Sequence, residues 1–342
     1  MSGEIETIGE NVVQSAINLW REEAEAEKFR EFESGRARTV FEVYLDSGDK
    51  VVLYLCTNEE IEERFKKEEL LLQKVKNNTE IPVPDIYFSD FSKTTVPYLF
   101  YIAEKAEGYT PKNRFKYLPR EKRLNIVKES AKYMAELHGN VGFGGYGEII
   151  YSNDELVIDS YSWSEYLREW SEEWISELEG KRFDDLQVDA KEFLEEHIEL
   201  AKVSESCCNH FDIKPDNLSV KDGSIEAILD WEKAISGAPE WDIQYSITLF
   251  SNAEFKQKSS REETAKEFLK TYLQERKLSE GWKKRIAYYN TIWMFKAMAN
   301  LEEEIPENDK DKVEKEFRKI LCERFNDLER ASETKFPGNL VE

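Results

Sequence analysis

The chain has few of the residues that metal centres and disulfide scaffolds require. It contains four cysteines and three histidines in 342 residues. Neither C-x-x-C nor H-E-x-x-H occurs, and the adjacent Cys207 and Cys208 do not have the usual spacing of zinc ligands. We therefore expect the cysteines to be small buried side chains in a reducing compartment. The histidines give no metal-binding pattern.

Long apolar runs are also absent. No stretch approaches the roughly 18 uninterrupted apolar residues of a membrane helix. The segment MSGEIETIGENVVQ lacks the basic start and apolar run of a signal peptide, so we expect a cytoplasmic protein without a membrane partner. Lysine and arginine total 48 against 71 aspartates and glutamates, for a formal net charge of -23. Because a phosphate backbone repels such a surface, we also expect no nucleic-acid partner.

Two common nucleotide-binding loops do not explain the sequence. The pattern G-x-x-x-x-G-K-[ST] does not occur. The segment GFGGYG supplies Gly142, Gly144 and Gly147 in G-x-G-x-x-G spacing, but a dinucleotide-binding loop must follow a strand and open a helix. Here the glycines follow a predicted helix and precede EIIYSNDELVID, which has the pattern of a hairpin. We interpret GFGGYG as a turn.

The apolar periodicity indicates two lobes. We predict that residues 10–33 are helical, and RARTVFEVYLDSGDKVVLYLC predicts two strands around a turn at residues 46–49. A charged helix, the extended segment IPVPDIYFSD and a buried strand, YLFYIA, follow. From about Pro119 the pattern changes to long helices. We therefore expect an α+β chain with a small β-rich lobe over residues 1–105 and a larger helical lobe over residues 106–342.

The polar residues between 209 and 242 carry the strongest chemical signal. Asp212 is followed five residues later by Asn217, and Asp222-Gly223 favours a hairpin turn that carries Asp230 back beside Asn217. Phosphoryl transfer requires positioning, charge neutralisation by Mg²⁺ and a carboxylate that accepts the hydroxyl proton. Magnesium prefers oxygen ligands and uses one or two carboxylates together with the phosphates. Asn217 and Asp230 are suitable ligands for Mg²⁺, and Asp212 is free to accept the hydroxyl proton.

These motifs also resemble a known family. HFDIKPDN is similar to the catalytic loop H-x-D-x-x-x-x-N of the protein-kinase-like superfamily. ILDWE resembles the metal-binding motif of its small-molecule branch, the aminoglycoside and choline/ethanolamine phosphotransferase-like family, and residues 237–242 look like that branch's G-x-P-x-x-D. The D-F-G of protein kinases is absent. The resemblance implies a bilobal protein-kinase-like fold.

The resemblance also implies roles for the loop residues. Asp212 would be the catalytic base, and Lys214 would contact the transferred phosphate. Asn217 and Asp230 would hold Mg²⁺ against the phosphates of ATP. Asp242 would brace the catalytic loop. ATP and Mg²⁺ are thus the expected cofactors, and the partners are the nucleotide and a small molecule that carries a hydroxyl group.

The first lobe departs from the family pattern at one position. Glu68 falls where the family places its helix glutamate, and the turn around Gly35 would lie over the nucleotide. The second strand should carry a lysine that pairs with this glutamate and with the α- and β-phosphates, but the aligned position holds Tyr54. Unless Lys50 or another basic side chain reaches in, Glu68 lacks its partner and ATP affinity should be weak.

Two functions remain open on this basis. The first is an ATP-dependent phosphotransferase that acts on a hydroxyl of a small molecule. The alternative is a catalytically weak or inactive pseudokinase-type protein that binds a nucleotide or a small molecule. The candidate acceptors are an aminoglycoside, choline, homoserine, a sugar and a nucleoside-like alcohol. Several aromatic residues of the helical lobe are candidates either for a cage around a cation or for ordinary packing; they are Trp163, Tyr166, Trp170, Trp174, Trp282 and Trp293.

Overall fold

The computed structural model describes residues 8–32, 38–158, 162–203, 205–253, 258–301, 307–326 and 328. An antiparallel five-stranded sheet with the order β1-β2-β3-β5-β4 forms the first part of the chain. Its strands are β1 (Ala26–Glu31), β2 (Arg38–Leu45), β3 (Lys50–Cys56), β4 (Ile86–Asp90) and β5 (Leu99–Glu104). The accompanying helices are α1 (Glu10–Trp20) and α2 (Glu62–Asn78).

One prediction in this part is wrong. The helix expected within residues 10–33 ends at Trp20, and residues 26–31 form β1 instead. Glutamate, alanine and lysine in this stretch favour a helix locally, but antiparallel pairing with β2 from Ala26–Leu45 to Glu31–Phe41 overrides that preference. The predicted hairpin of β2 and β3, the charged helix and the buried strand β5 are all present.

The two faces of the five-stranded sheet pack against different helices. Side chains at alternate positions of a strand point to opposite faces. Phe41, Val43 and Leu45 of β2 are buried in a cluster with Val13 and Ile17 of α1. The opposite face carries Tyr54 and Tyr101, which pack with Phe65 of α2 and neighbouring side chains. This second face is the one that borders the cleft described below.

The second part of the chain is mainly helical. Its helices are α3 (Arg120–Asn140), α4 (Trp163–Ser176), α5 (Gln187–His197), α6 (Pro239–Ala253), α7 (Lys258–Glu275), α8 (Trp282–Ala299) and α9 (Glu307–Asn326). Its strands are β6 (Gly147–Ser152), β7 (Glu155–Ile158), β8 (Cys207–Asn209), β9 (Leu218–Lys221), β10 (Ser224–Ile228) and β11 (Ile235–Gly237). Short 3₁₀-helices occur at Glu59–Ile61, Lys112–Tyr117, Asp184–Leu186, Ile198–Ala201 and Pro215–Asn217.

Two small sheets are built into this helical part. The hairpin β9–β10 stands alone, and β7-β6-β11-β8 form a four-stranded sheet. Gly142 and Gly144 lie between the end of α3 and the hairpin β6–β7, as the turn interpretation predicts, and Gly147 is the first residue of β6. All strands of the five-stranded sheet fall between residues 26 and 104, which suits the proposed division of the lobes after residue 105.

Two further expectations from the sequence concern membrane-spanning helices and the cysteines. None of the helices in the described ranges is long and apolar enough to cross a bilayer. Cys56, Cys207 and Cys208 are buried free thiols, as expected, whereas Cys322 on α9 is exposed. The expectation of burial was therefore wrong for Cys322.

Candidate active site

The catalytic-loop segment is held by a buried aspartate. The loop leaves β8 at Asn209, and the backbone N–H groups of His210 and Phe211 donate to the two carboxylate oxygens of Asp242 at 2.8 and 3.1 Å. Nε2 of His138 lies 3.3 Å from the same carboxylate. Phe211 has a φ of 63°, a left-handed conformation that is uncommon outside glycine. Asp242, at the start of α6, thus fixes the backbone that leads into Asp212.

His210 links this loop to the residues before Asp230. Its Nδ1 accepts a hydrogen bond from the backbone N–H of Asp212 at 3.2 Å, so Nε2 carries the proton and donates to the carbonyl of Leu229 at 3.2 Å. Complete burial lowers the pKa of His210 despite the nearby carboxylates, which keeps the ring neutral. The histidine therefore joins the backbone of the loop at Asp212 to the backbone at Leu229.

The Asp212 carboxylate lies between two ammonium groups. Nζ of Lys214 is 3.0 and 2.9 Å from its two oxygens, and Nζ of Lys233 is 3.0 Å from Oδ2. Burial alone would raise the pKa of Asp212, but the charges of Lys233 and Lys214 outweigh it and hold the pKa below its usual value. Asp212 is therefore ionised at neutral pH and able to accept a proton.

The hairpin β9–β10 places Asp230 next to Asn217. The backbone N–H of Leu229 donates to the carbonyl of Asn217 at 2.8 Å. Nδ2 of Asn217 donates to the carbonyl of Asp212 at 3.0 Å, which turns its Oδ1 to the other side of the amide. Asp230 has a φ of 69°. The sequence predicted this convergence, and the structure shows it.

These two side chains fit a magnesium ion in number and kind. Each offers an oxygen ligand, and Mg²⁺ takes one or two protein oxygens while phosphates and water complete its coordination. Within the described residues, no group of three or more His, Cys, Asp or Glu side chains is arranged to hold a metal. A cation bound by Asn217 and Asp230 would complete its coordination with oxygens of phosphate and water.

The opposite wall of the site contains an arginine that the sequence analysis did not identify. Nη1 of Arg38 on β2 is 2.7 Å from a carboxylate oxygen of Glu68, and Nη2 is 2.6 Å from Oδ1 of Asp230. Glu68 also accepts hydrogen bonds from the backbone N–H of Trp231 at 3.0 Å and from the Tyr101 hydroxyl at 3.2 Å. Arg38 and Glu68 thus connect the sheet and α2 to the hairpin.

Tyr54 and Lys50 have no such contact with Glu68 among the described residues. The ring of Tyr54 stacks on Tyr101 with 4.5 Å between the ring centres, and Cζ of Arg38 lies 5.8 Å from the centre of the Tyr54 ring. Lys50 is exposed, and its Nζ lies 5.0 Å from the ring centre of Tyr44. Gly35 lies outside the described residues.

A cleft of about 370 Å³ adjoins this wall. Its lining includes residues of β1, β2 and β3, the linker that follows β5, and the hairpin. Leu229, next to Asp230, is part of the lining. Gly108 in the linker has a φ of +86°, and a Cβ atom there would lie 2.2 Å from the carbonyl oxygen of Val220. The cleft therefore opens beside the predicted metal ligands.

Aromatic side chains form a wall on the other side of the catalytic loop. The ring of Phe211 lies 5.8, 4.9 and 5.7 Å from those of Trp170, Tyr245 and Trp293. Lys296 already places its ammonium 4.8 Å from the centre of the Trp293 ring. Trp163 is buried, and Trp282 packs in a different cluster. The six aromatic residues considered from the sequence therefore do not form a single cage.

Sequence comparison identifies the family. The profile of the Phosphotransferase enzyme family matches residues 28–286, well over half of the chain. This chain belongs to that family. The search of curated proteins gave no significant match. The predictions of the family and of the phosphotransferase class are thus confirmed.

Solved structures support the same fold for this phosphotransferase. A thermostable mutant of aminoglycoside phosphotransferase APH(4)-Ia, in a ternary complex with AMP-PNP and hygromycin B, superposes with a TM-score of 0.63 at 14% identity, covering 92% of this chain and 99% of that one. ADP-bound APH(2'')-Ib gives 0.60 at 15% identity, with 93% and 99% covered. The streptomycin–ATP complex of APH(2'')-IIa gives 0.58 at 13% identity, with 92% and 97% covered. The predicted bilobal α+β fold is confirmed.

The structure of this phosphotransferase brings most of the predicted site residues together. Asp212, Lys214, Asn217 and Asp230 lie around the catalytic loop and hairpin, and Glu68 reaches them through Arg38. Tyr54 lines the adjacent cleft, whereas Gly35 is not described.

Two charged residues of this phosphotransferase were missed. Lys233 directly follows the D-W-E motif, so its place near Asp212 could have been inferred once the hairpin was assumed. Arg38 lies two positions before Val40, which means that both side chains point to the cleft side of β2. The alternation of side chains along β2 could therefore have indicated that Arg38 faces the cleft.

Proposed function

We propose that this chain is an active small-molecule kinase that transfers the γ-phosphoryl group of ATP, with Mg²⁺, to a hydroxyl group of its acceptor. The observation that carries the proposal is the convergence of an ionised, buried Asp212 with the oxygen ligands Asn217 and Asp230. Membership of the phosphotransferase family and similarity to structures solved with AMP-PNP, ADP or ATP support it.

The residues of the chain then have separable tasks. Asp212 accepts the proton of the acceptor hydroxyl as its oxygen forms a bond to the γ-phosphorus and the bond from that phosphorus to the β-phosphate oxygen breaks. Lys214, next to Asp212, lies where it can neutralise charge on the transferred group. Asn217 and Asp230 hold the metal. When bound, Mg²⁺ neutralises charge on the phosphates.

The acceptor approaches Asp212 from the side of the aromatic wall in this proposal. Phe211 immediately precedes the base, and Trp170, Tyr245 and Trp293 surround its ring while remaining partly exposed. These faces suit an acceptor with an apolar surface beside its hydroxyl group. Lys296 lies against Trp293, so a cationic acceptor would have to share this surface with a positive charge of the protein.

The pseudokinase alternative is less well supported. A protein that only binds nucleotide has no need for a buried carboxylate kept ionised by two lysines. Lys214 and Lys233 both contact Asp212, and the pair of metal ligands is complete. The departure at Tyr54 remains the one feature that favours weak activity.

A screen of ATP consumption tests the proposed function. The purified chain is incubated with Mg²⁺ and ATP against a panel of small alcohols, including aminoglycosides, amino alcohols, sugars and nucleosides, and phosphorylated products are identified by mass spectrometry. Asp212→Ala is the control. Acceptor-dependent ATP consumption that disappears in this variant supports the kinase. Binding of ATP without consumption for any acceptor would support the alternative.

A further inference from the structure

We propose that Arg38, on β2, is the cation that binds the phosphates of the nucleotide in this chain, in place of a lysine on β3. The proposal rests on the proposed function, since it assumes that ATP binds in the cleft. It assigns a binding role to a residue outside the motifs that identify the family.

The strand register places Arg38 on the correct face. Arg38 pairs with Cys56, and Val40 pairs with Tyr54. Side chains two positions apart on a strand share a face, as do directly paired residues. Arg38 and Val40 therefore share the face of Tyr54, and Val40 and Tyr54 line the cleft. From β2 the guanidinium extends past the Tyr54 ring, with Cζ 5.8 Å from the ring centre.

The contacts of Arg38 are those that a phosphate-binding cation needs. Its Nη1 pairs with Glu68 at 2.7 Å, and its Nη2 pairs with Asp230 at 2.6 Å. Glu68 is only 3% exposed and Asp230 is 25% exposed. The guanidinium is therefore anchored on the buried side by α2 and meets the more open carboxylate that is the predicted metal ligand. A guanidinium has five N–H donors in a planar fork that matches phosphate oxygens.

Neither of the two positions considered from the sequence supplies this charge beside Glu68. The Tyr54 side chain is partly buried, and desolvation raises the pKa of its phenol to about 12, so it is neutral at physiological pH. Lys50 lies at the start of β3 against Tyr44 and is exposed. Because the Tyr54 ring stacks on Tyr101 in the space beside Glu68, a cation from the neighbouring strand replaces one from β3.

A purely structural role for Arg38 is the competing explanation. Two carboxylates close together require a counter-charge whether or not a nucleotide binds. The two explanations differ in the ligand whose affinity changes. A phosphate-binding arginine affects ATP and leaves adenosine alone, whereas a structural arginine affects both ligands or neither.

Calorimetric titration with Mg·ATP and with adenosine separates these explanations. We expect Arg38→Met to bind Mg·ATP roughly 10- to 100-fold more weakly, as for the loss of a charge-assisted contact, with unchanged adenosine affinity. Lys50→Met is the matched control and should bind both ligands like the wild type. Adding Tyr54→Lys to Arg38→Met should restore part of the Mg·ATP affinity, because it returns a positive charge to the same face.

The outcomes that overturn the proposal are distinct. An equal loss of Mg·ATP and adenosine affinity in Arg38→Met, or no loss of either, would make Arg38 a structural counter-ion. If Arg38→Met does not fold, Glu68→Gln is compared with Arg38→Met/Glu68→Gln, where the buried carboxylate has been removed. Failure of the wild type to bind Mg·ATP would reject the proposed function itself, and this inference with it.

Discussion

The two sides of the candidate site differ in how closely they follow the pattern of the family. The catalytic loop and its hairpin form one side, the loop wall, and strands β2 and β3 with helix α2 form the other, the strand wall. On the catalytic-loop side, Asn217 contacts the backbone of Asp212, and Leu229, next to Asp230, contacts the backbone of Asn217. On the strand side, the aligned position on β3 holds Tyr54, and Arg38 on β2 pairs with Glu68 instead. The difference shows that a motif held within one loop and one hairpin constrains residue positions, whereas a positive charge can be supplied from any strand within reach.

The physical reason lies in the geometry that each task requires. A base and two metal ligands must be held within about 0.5 Å of the geometry that the reaction needs, so the backbone between them is fixed. In this chain that backbone is held by Asp242 and by the His210 bridge. A phosphate-binding cation acts over a longer range and sits at the end of a long side chain, so its Cα position can change.

The loop wall is tested most directly at Asp212. Asp212→Asn should reduce turnover by at least ~10²-fold, because it removes the proposed general base, while Mg·ATP affinity changes little. Steady-state kinetics with an acceptor from the screen would measure turnover, and calorimetry would measure binding. Asp216→Asn, an exposed aspartate in the same loop, is the control and should retain activity. Near-normal turnover in Asp212→Asn would show that Asp212 is not the base.

A second test addresses the metal at the point where the two walls meet. Asp230→Ala should abolish the Mg²⁺ dependence of ATP binding, because it removes the predicted carboxylate ligand. Titrations with ATP, with and without Mg²⁺, would show this. Asp222→Ala in the exposed turn of the same hairpin should keep the dependence. Identical metal dependence in Asp230→Ala and wild type would leave the Asp230–Arg38 ion pair as a purely structural contact.

The same comparison explains which parts could be predicted from the sequence. The loop and hairpin depend on local spacing and on the turn at Asp222-Gly223, and these are visible in one stretch of chain. The contacts of Arg38 join residues 30 and 192 positions apart, so they depend on sheet register and on the packing of α2. Residues 26–31 were mistaken for helix for a similar reason, since only pairing with β2 makes them a strand.

The linker between the walls provides a test of their connection. Tyr109 and Val220 exchange backbone hydrogen bonds at 3.0 and 2.9 Å, next to Gly108. Gly108→Ala introduces both an unfavourable φ, which costs on the order of 1–3 kcal/mol, and a clash with the Val220 carbonyl. Gly48→Ala has a similar φ of +83° but nothing within 4 Å of the added carbon. Denaturant unfolding should therefore show a greater loss of stability for Gly108→Ala. An equal loss of stability in the two variants would show that the close contact between the linker and Val220 does not stabilise the protein.

The smallest expected effect concerns Lys233, which the motif did not predict. Together with Lys214 it holds the pKa of Asp212 below its usual value, against the opposing effect of burial. The base must be ionised to act, so activity is lost as pH falls through this pKa. Removing one ammonium by Lys233→Met raises the pKa, and the acidic limb of the kcat/KM profile should move to higher pH by on the order of one unit.

A charge-matched control separates this local effect from a change in overall charge. Lys221→Met also removes one lysine from the hairpin, but Lys221 pairs with Glu107 rather than with Asp212. Its acidic limb should coincide with that of the wild type when kcat/KM for the acceptor is measured at saturating Mg·ATP. A limb that stays in place in Lys233→Met would mean that Lys214 alone sets the pKa of the base. The ionisation of Asp212 would then depend only on residues within the HFDIKPDN motif. The loop wall would differ even more from the strand wall, where the cation lies outside the expected position.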